Sequence, residues 1–193
     1  MIGRAELVAR LRDLRSAFRR PGRLLLVGRT GQLLEGWCRD ARSLEVAPDV
    51  GAADHADAVA AAARCGLVCE SPADVIPLPR DHERRSRPVP DAPELGPTDS
   101  PRALRLLHFD PYSLTFRALA RGDEDDYRTG LTFLRHGWIT IAEMDTLLEE
   151  LLPRFTRETI AQDPAEFRRK YRGLLQMWRA EAESLAQQAR RHQ

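Results

Sequence analysis

The sequence predicts an α/β chain: a small sheet flanked by helices over residues 1–110, then a C-terminal helical bundle over residues 111–193. Three observations carry this. Leu24-Leu25-Leu26-Val27 is an aliphatic run ending in Gly28, and a second apolar stretch, Ser43-Leu44-Glu45-Val46, follows after a helix-length gap. Residues 54–64 are Ala-rich, which favours helix. Beyond residue 110, apolar side chains recur three and four apart, behind capping residues.

Taken in order, Leu7, Val8, Leu11, Leu14 and Phe18 give residues 2–19 a helical period, which Pro21-Gly22 stops. Residues 23–27 are the first strand. Thr30 is placed to cap a short helix through about Trp37. Residues 42–47 are the second strand, ended by Pro48. The helix over 54–64 ends at Gly66. Residues 67–69 and 75–78 are short strand candidates, Pro77 marking an edge or a strand end. Residues 79–102 hold Pro79, Pro88, Pro90, Pro93, Pro97 and Pro101 among charges, which predicts an extended, mobile loop. Residues 103–109 return as a strand through Leu104, Leu106 and Leu107.

Residues 111–121 form the next helix. Asp123 caps the one after it, which carries Tyr127, Leu131, Phe133 and Leu134. Thr140-Ile141-Ala142-Glu143 is a capping box ahead of Met144, Leu147, Leu148 and Leu151. Asp163-Pro164-Ala165-Glu166 opens a long final helix. Its stripe, Phe167, Tyr171, Leu174 and Trp178, then Ala182, Leu185 and Ala189, packs either on its own unit or on a partner.

Length and composition bound the function. The chain has 193 residues, 42% of them apolar, enough for one mid-sized domain or a domain with a helical appendage. Net charge is +1, so no global field points to nucleic acid. The basic residues are Arg except for Lys170, a bias that fits a GC-rich coding sequence. Cys38, Cys65 and Cys69 lack the second pair of a zinc site and read as thiols in a reducing compartment. No signal peptide and no long apolar run is visible, so a cytoplasmic protein with no membrane partner is expected. The five histidines show no ligand spacing, and Gly28-Arg29-Thr30-Gly31 lacks the Gly-Lys-Ser/Thr of a phosphate-binding loop.

The strand–Gly28–helix–strand unit resembles the first unit of the nucleotidyltransferase superfamily, the fold shared with DNA polymerase β. Val75-Ile76-Pro77-Leu78-Pro79 with Glu83-Arg84-Arg85 is similar to a segment of abortive-infection toxin-like nucleotidyltransferases. Phe109-Asp110-Pro111-Tyr112-Ser113-Leu114 with Leu119-Ala120-Arg121-Gly122 resembles their hydrophobic–Asp–Pro–x–x–Leu and Leu–Ala–Arg–Gly hallmark. The resemblance covers roughly residues 20–150 and implies a small mixed sheet of the nucleotidyltransferase type. In that family two carboxylates at i and i+2 of a strand hold Mg²⁺, which aligns the attacking hydroxyl and carries charge on the triphosphate. Here Arg29 stands at the family's Gly or Ser, and Ser43 with Glu45 stands at the metal-binding pair. Ala118 stands at its nucleotide-contacting Lys, with Arg117 one residue earlier. Asp126 matches the first helical Asp, and Thr129 falls at the second.

The resemblance implies Ser43, Glu45 and Asp74 as the catalytic positions, with Glu45 as the metal ligand. Gly28, Arg29, Thr30, Arg117, Arg121 and Asp126 are implied on the nucleotide side. Each also has a plain structural account. Ser43 and Glu45 can be an ordinary strand face turned to solvent, and Asp74 a turn residue after Pro72. Asp110-Pro111 is a common helix start, Arg121-Gly122 a common helix end, and Asp123-Glu124-Asp125-Asp126 suits a helix N-terminus. Arg39, Arg42, Arg117 and Arg121 can alternatively hold phosphate without metal.

Three functions are therefore expected in competition. One is a degenerate nucleotidyltransferase-fold protein that binds a nucleotide, an RNA end or a protein partner with weak or no catalysis. The second is an active bacterial toxin–antitoxin enzyme that modifies RNA or protein, with Glu45 and Asp74 holding Mg²⁺. The third is an interaction module acting through the final helix.

Overall fold

A computed structural model of the chain describes residues 1–71, 75–90, 92–95, 104–158 and 162–191. It divides into two compact units: Met1–Pro72 with Asp81–Asp110, and Ala73–Arg80 with Pro111–Gln193.

The first unit is built on β2 (Gly22–Leu26), which takes two partners. On one side β4 (Glu45–Asp49) runs antiparallel to it, and on the other β7 (Leu104–His108) runs parallel. β5 (Val68–Cys69) extends the sheet beyond β4 in parallel, and β6 (Arg87–Pro88) closes the far edge antiparallel to β7. The order is β5-β4-β2-β7-β6, a mixed sheet of five strands. A two-stranded ribbon, β1 (Ile2–Gly3) with β3 (Asp40–Ala41), stands apart from it.

Side-chain alternation gives the sheet a buried face. Leu24 and Leu26 of β2, Val46 of β4, and Leu104 and Leu106 of β7 join one apolar core with the helices. α1 (Arg4–Ala17) contributes Leu7, Leu11 and Leu14, α2 (Thr30–Leu34) contributes Leu33 and Leu34, and α3 (Ala52–Arg64) contributes Ala58, Ala61 and Ala62. Gly66, at φ 72°, ends the α3 region as expected, and its carbonyl accepts from Arg10 Nη1 at 2.6 Å. The three cysteines are half-buried and unbridged, and burial pushes the thiols of Cys65 and Cys69 up, toward the protonated form.

Several boundaries differ from expectation. The second strand begins at Glu45 rather than 42 and runs through Pro48. Val27 donates to the Glu45 carbonyl at 3.0 Å, and bonded positions alternate from there. Pro48, opposite Leu24, therefore falls at an unbonded position toward β2. It also lies beyond Glu45 and Val46, the residues that β5 pairs, so its missing N–H breaks no rung with either neighbour.

The segment from residue 79 to 102 is not wholly irregular. Its described part holds α4 (His82–Arg85), β6 and a 3₁₀ turn, Pro93–Leu95. Val89 donates to the Leu106 carbonyl at 3.0 Å, and the His82 ring packs on Phe109 at 5.9 Å. Proline did not exclude pairing because Pro88 sits on an edge strand, where a missing donor is tolerated. Residues 91 and 96–102 of that segment lie outside the described residues.

The second unit holds, among the described residues, α5 (Pro111–Arg121), α6 (Glu124–Arg135), α7 (Ile141–Glu158) and α8 (Pro164–Arg191). α8 packs on α5, α6 and α7. Phe167, Tyr171 and Leu174 are buried, and Phe167 meets the Phe155 ring edge-on at 4.8 Å. The stripe then surfaces: Trp178 is half-buried, and Met177 and Ala182 are exposed. Glu143 N–H donates to Thr140 Oγ1 at 3.3 Å, one half of the expected box, while Thr140 N–H donates to the Tyr112 hydroxyl at 3.2 Å; at α8 the expected cap is present, Glu166 N–H donating to Asp163 Oδ1 at 2.8 Å.

Residues 75–78 form no strand. This segment lies against α7 instead, with Ile76, Pro77 and Pro79 buried. Arg154 Nη1 donates to the Leu78 carbonyl at 2.8 Å, and Arg80 N–H donates to Glu150 Oε1 at 2.8 Å. With two prolines removing donors, side chains rather than a ladder satisfy this backbone. No helix among the described residues is long and apolar enough to cross a membrane.

Candidate functional site

Strand direction gathers Gly28, Glu45 and His108 at one end of the sheet. β2 and β7 finish there and β4 begins there. After Leu26 and Val27 the chain turns through Gly28, whose φ of 58° lies in the left-handed region. Thr30 N–H donates to the Val27 carbonyl at 3.1 Å, closing the turn into α2.

Glu45 is seated on this turn by its main chain and its side chain. Its carbonyl accepts from Val27, and its N–H donates to Thr30 Oγ1 at 2.7 Å. Its carboxylate lies over Gly28, in the space that a Cβ there would need. Ser43 Oγ donates to Glu45 Oε1 at 2.8 Å, while Leu44 between them points into the core. Ser43 and Glu45 thus share a half-buried side, although Ser43 precedes the strand rather than lying in it. Thr30 does not cap α2. It is fully buried and spends its hydroxyl on Glu45. Arg29 occupies the N-cap position and is half-buried.

None of the other expected site residues belongs to the described part of the first unit. Asp74 lies outside the described residues. Arg117, Arg121 and Asp126 belong to the second unit. Arg117 is 5% exposed within α5. Asp126 is largely buried, accepts from Arg121 Nη2 at 2.8 Å, and reaches back to Asp123 N–H at 3.3 Å. Its carboxylate serves the start of α6 in this structure. Thr129 donates to the Asp125 carbonyl at 3.2 Å.

Among the described residues, which leave out Asp74, no set of donors for a Mg²⁺ centre is assembled. Among the described residues no three His, Cys, Asp or Glu side chains come together around a point where an ion could sit. Mg²⁺ demands near-octahedral oxygen and the charge of carboxylates. At the Gly28 turn the carboxylate is that of Glu45, already bonded to Ser43.

A pair that spacing did not reveal lies beside this turn. His108 ends β7 on the face of Leu104 and Leu106 and is 2% exposed. Its Nε2 is 2.9 Å from Glu35 Oε1, at the end of α2. A Cβ on Gly31 would lie 2.9 Å from Nδ1, so α2 approaches the imidazole at a glycine. Burial pushes the His108 pKa down from its ordinary 6.5; Glu35 pulls it back up, and Arg87 adds to the fall. The signal was alternation: Leu104, Leu106 and His108 are two apart, which puts the imidazole on the core face. No family model, no curated protein and no solved structure matches this chain.

Proposed function

We propose that this chain is a degenerate nucleotidyltransferase-fold protein, with its helical region as a C-terminal bundle. It binds a nucleotide or an RNA end at the Gly28 turn and catalyses transfer weakly or not at all. One observation supports this above the rest: Glu45 is seated on the left-handed Gly28 from an antiparallel neighbouring strand, with Ser43 on its side. That is the relation the resemblance requires of the strand-end glycine and the acidic strand. The weakness of catalysis follows from the side chains. A serine hydroxyl can contact Mg²⁺ but brings no charge, and here it donates to the remaining carboxylate.

The test is incubation with labelled nucleoside triphosphates, Mg²⁺ or Mn²⁺, and cellular RNA. Transfer is expected to be weak or absent, and Ser43→Asp is expected to raise metal affinity. Robust transfer by the wild-type chain, abolished in Glu45→Gln, would restore the active-enzyme reading. Unchanged metal affinity in Ser43→Asp would show that this strand end is not a metal position.

A further inference from the structure

We propose that His108 and Glu35 brace the turn that seats Glu45, and that protonating the imidazole loosens this end of the sheet. The inference rests on the preceding reading only for what the turn binds.

The contacts form a continuous chain. His108 on β7 meets Glu35 at one end of α2; Thr30 at the other end holds the Glu45 N–H. α2 has five residues, too few to be stable in isolation, so its position depends on what it touches. The Nε2–Oε1 approach of 2.9 Å is a close electrostatic contact, not an aligned hydrogen bond. Nδ1 lies against Gly31, where a side chain would not fit.

A second proton would charge the imidazole in a site closed to water. The charged groups facing the imidazole are Glu35 from α2 and Arg87 from β6, while β2 presents Leu26 in register with it. Glu35 favours the imidazolium, whereas burial and Arg87 oppose it, and burial is the largest effect. A base with a depressed folded pKa contributes its full stability above its ordinary value of 6.5. That contribution is lost as pH falls below 6.5 toward the lower folded value. The imidazolium regains water by parting from Gly31, which moves α2 and Thr30 with it.

Amide hydrogen exchange on the full chain without ligand, at pH about 7.5 and about 5.5, tests this. After correction for intrinsic rates, protection of the Glu45 amide is expected to fall severalfold at the lower pH. One proton over one unit below 6.5 sets a ceiling of about tenfold. Protection of Leu11, inside α1, is expected to hold, which separates local loosening from global unfolding. His108→Gln keeps a polar side chain beside Glu35 but cannot titrate, so its Glu45 amide is expected to be insensitive to this change. Glu35→Gln removes the compensating charge, so the fall is expected to steepen. Equal Glu45 protection at both pH values in the wild type, or an equal fall in His108→Gln, overturns the proposal. Metal-free ATP binding, measured by calorimetry on the same proteins, separates the two claims. No binding with an acid-sensitive Glu45 amide overturns the nucleotide reading and leaves the brace standing, and binding with an acid-insensitive amide does the reverse.

Discussion

Gly28 meets two demands at once: a φ of 58°, and a Cα flank occupied by the Glu45 carboxylate. An L side chain there suffers the left-handed penalty and must also displace Glu45. Gly28→Ala is expected to destabilise the chain by about 1–2 kcal/mol in denaturant unfolding. A change near zero would show that the turn is not held in this shape. Tyr171 poses a different question. Its hydroxyl donates to Asp145 Oδ1 at 2.6 Å from a buried ring. Burial first, then Asp145, pushes its pKa far above the ordinary 10. The un-ionised phenol is therefore the form that the fold favours: its stabilisation is complete below pH 10 and fades as pH rises further. In an alkaline absorbance titration Tyr171 is expected to ionise later than a free tyrosine. Tyr171→Phe is expected to remove that late step at a cost of about 1 kcal/mol.

At the scale of elements, helix ends account for several acids that resemble site residues. Asp126 reaches Asp123 N–H and Arg121 together, so it ties the end of α5 to the start of α6. Lys170 works at the same junction from α8, donating to the Ala120 carbonyl at 2.6 Å beside Gly122. Asp126→Ala is expected to cost about 1–2 kcal/mol through the lost cap and the lost Arg121 partner. Asp163→Ala, with one exposed cap bond at the start of α8, is expected to cost about 1 kcal/mol. Equal costs would mean that the Arg121 pair contributes nothing.

At the scale of the molecule, each unit is assembled from two stretches of chain. Residues 73–80 belong with the helices that begin at Pro111, although the strand β7 lies between them in sequence. A fragment of residues 111–193 lacks the Leu78 carbonyl and the Arg80 N–H, leaving Arg154 and Glu150 of α7 without those partners. It is expected to unfold at a lower denaturant midpoint than the same helices do in the whole chain, followed by circular dichroism. Adding a peptide of residues 73–80 is expected to recover part of the difference. No recovery would show that the segment follows α7 without stabilising it.

Local physics made much of this chain legible from its residues. The period of Leu7, Leu11 and Leu14, the Asp163-Pro164 start and the Thr140–Glu143 cap act within a few residues, so the helices appeared where the sequence placed them. The aliphatic run ending at Gly28, and the shared side of Ser43 and Glu45, follow from a period of two. Other features depend on partners distant in sequence. The second strand shifted to Glu45–Asp49 because its register with β2 decides which donors are needed, and Pro48 falls where none is. Pro88 became a strand because β7 offered it an edge, and residues 75–78 lost their strand to the side chains of α7. His108 and Glu35 are 73 positions apart along the chain and 2.9 Å apart in the fold. No spacing rule spans that gap, because their meeting is set by how β7 and α2 pack against the same core.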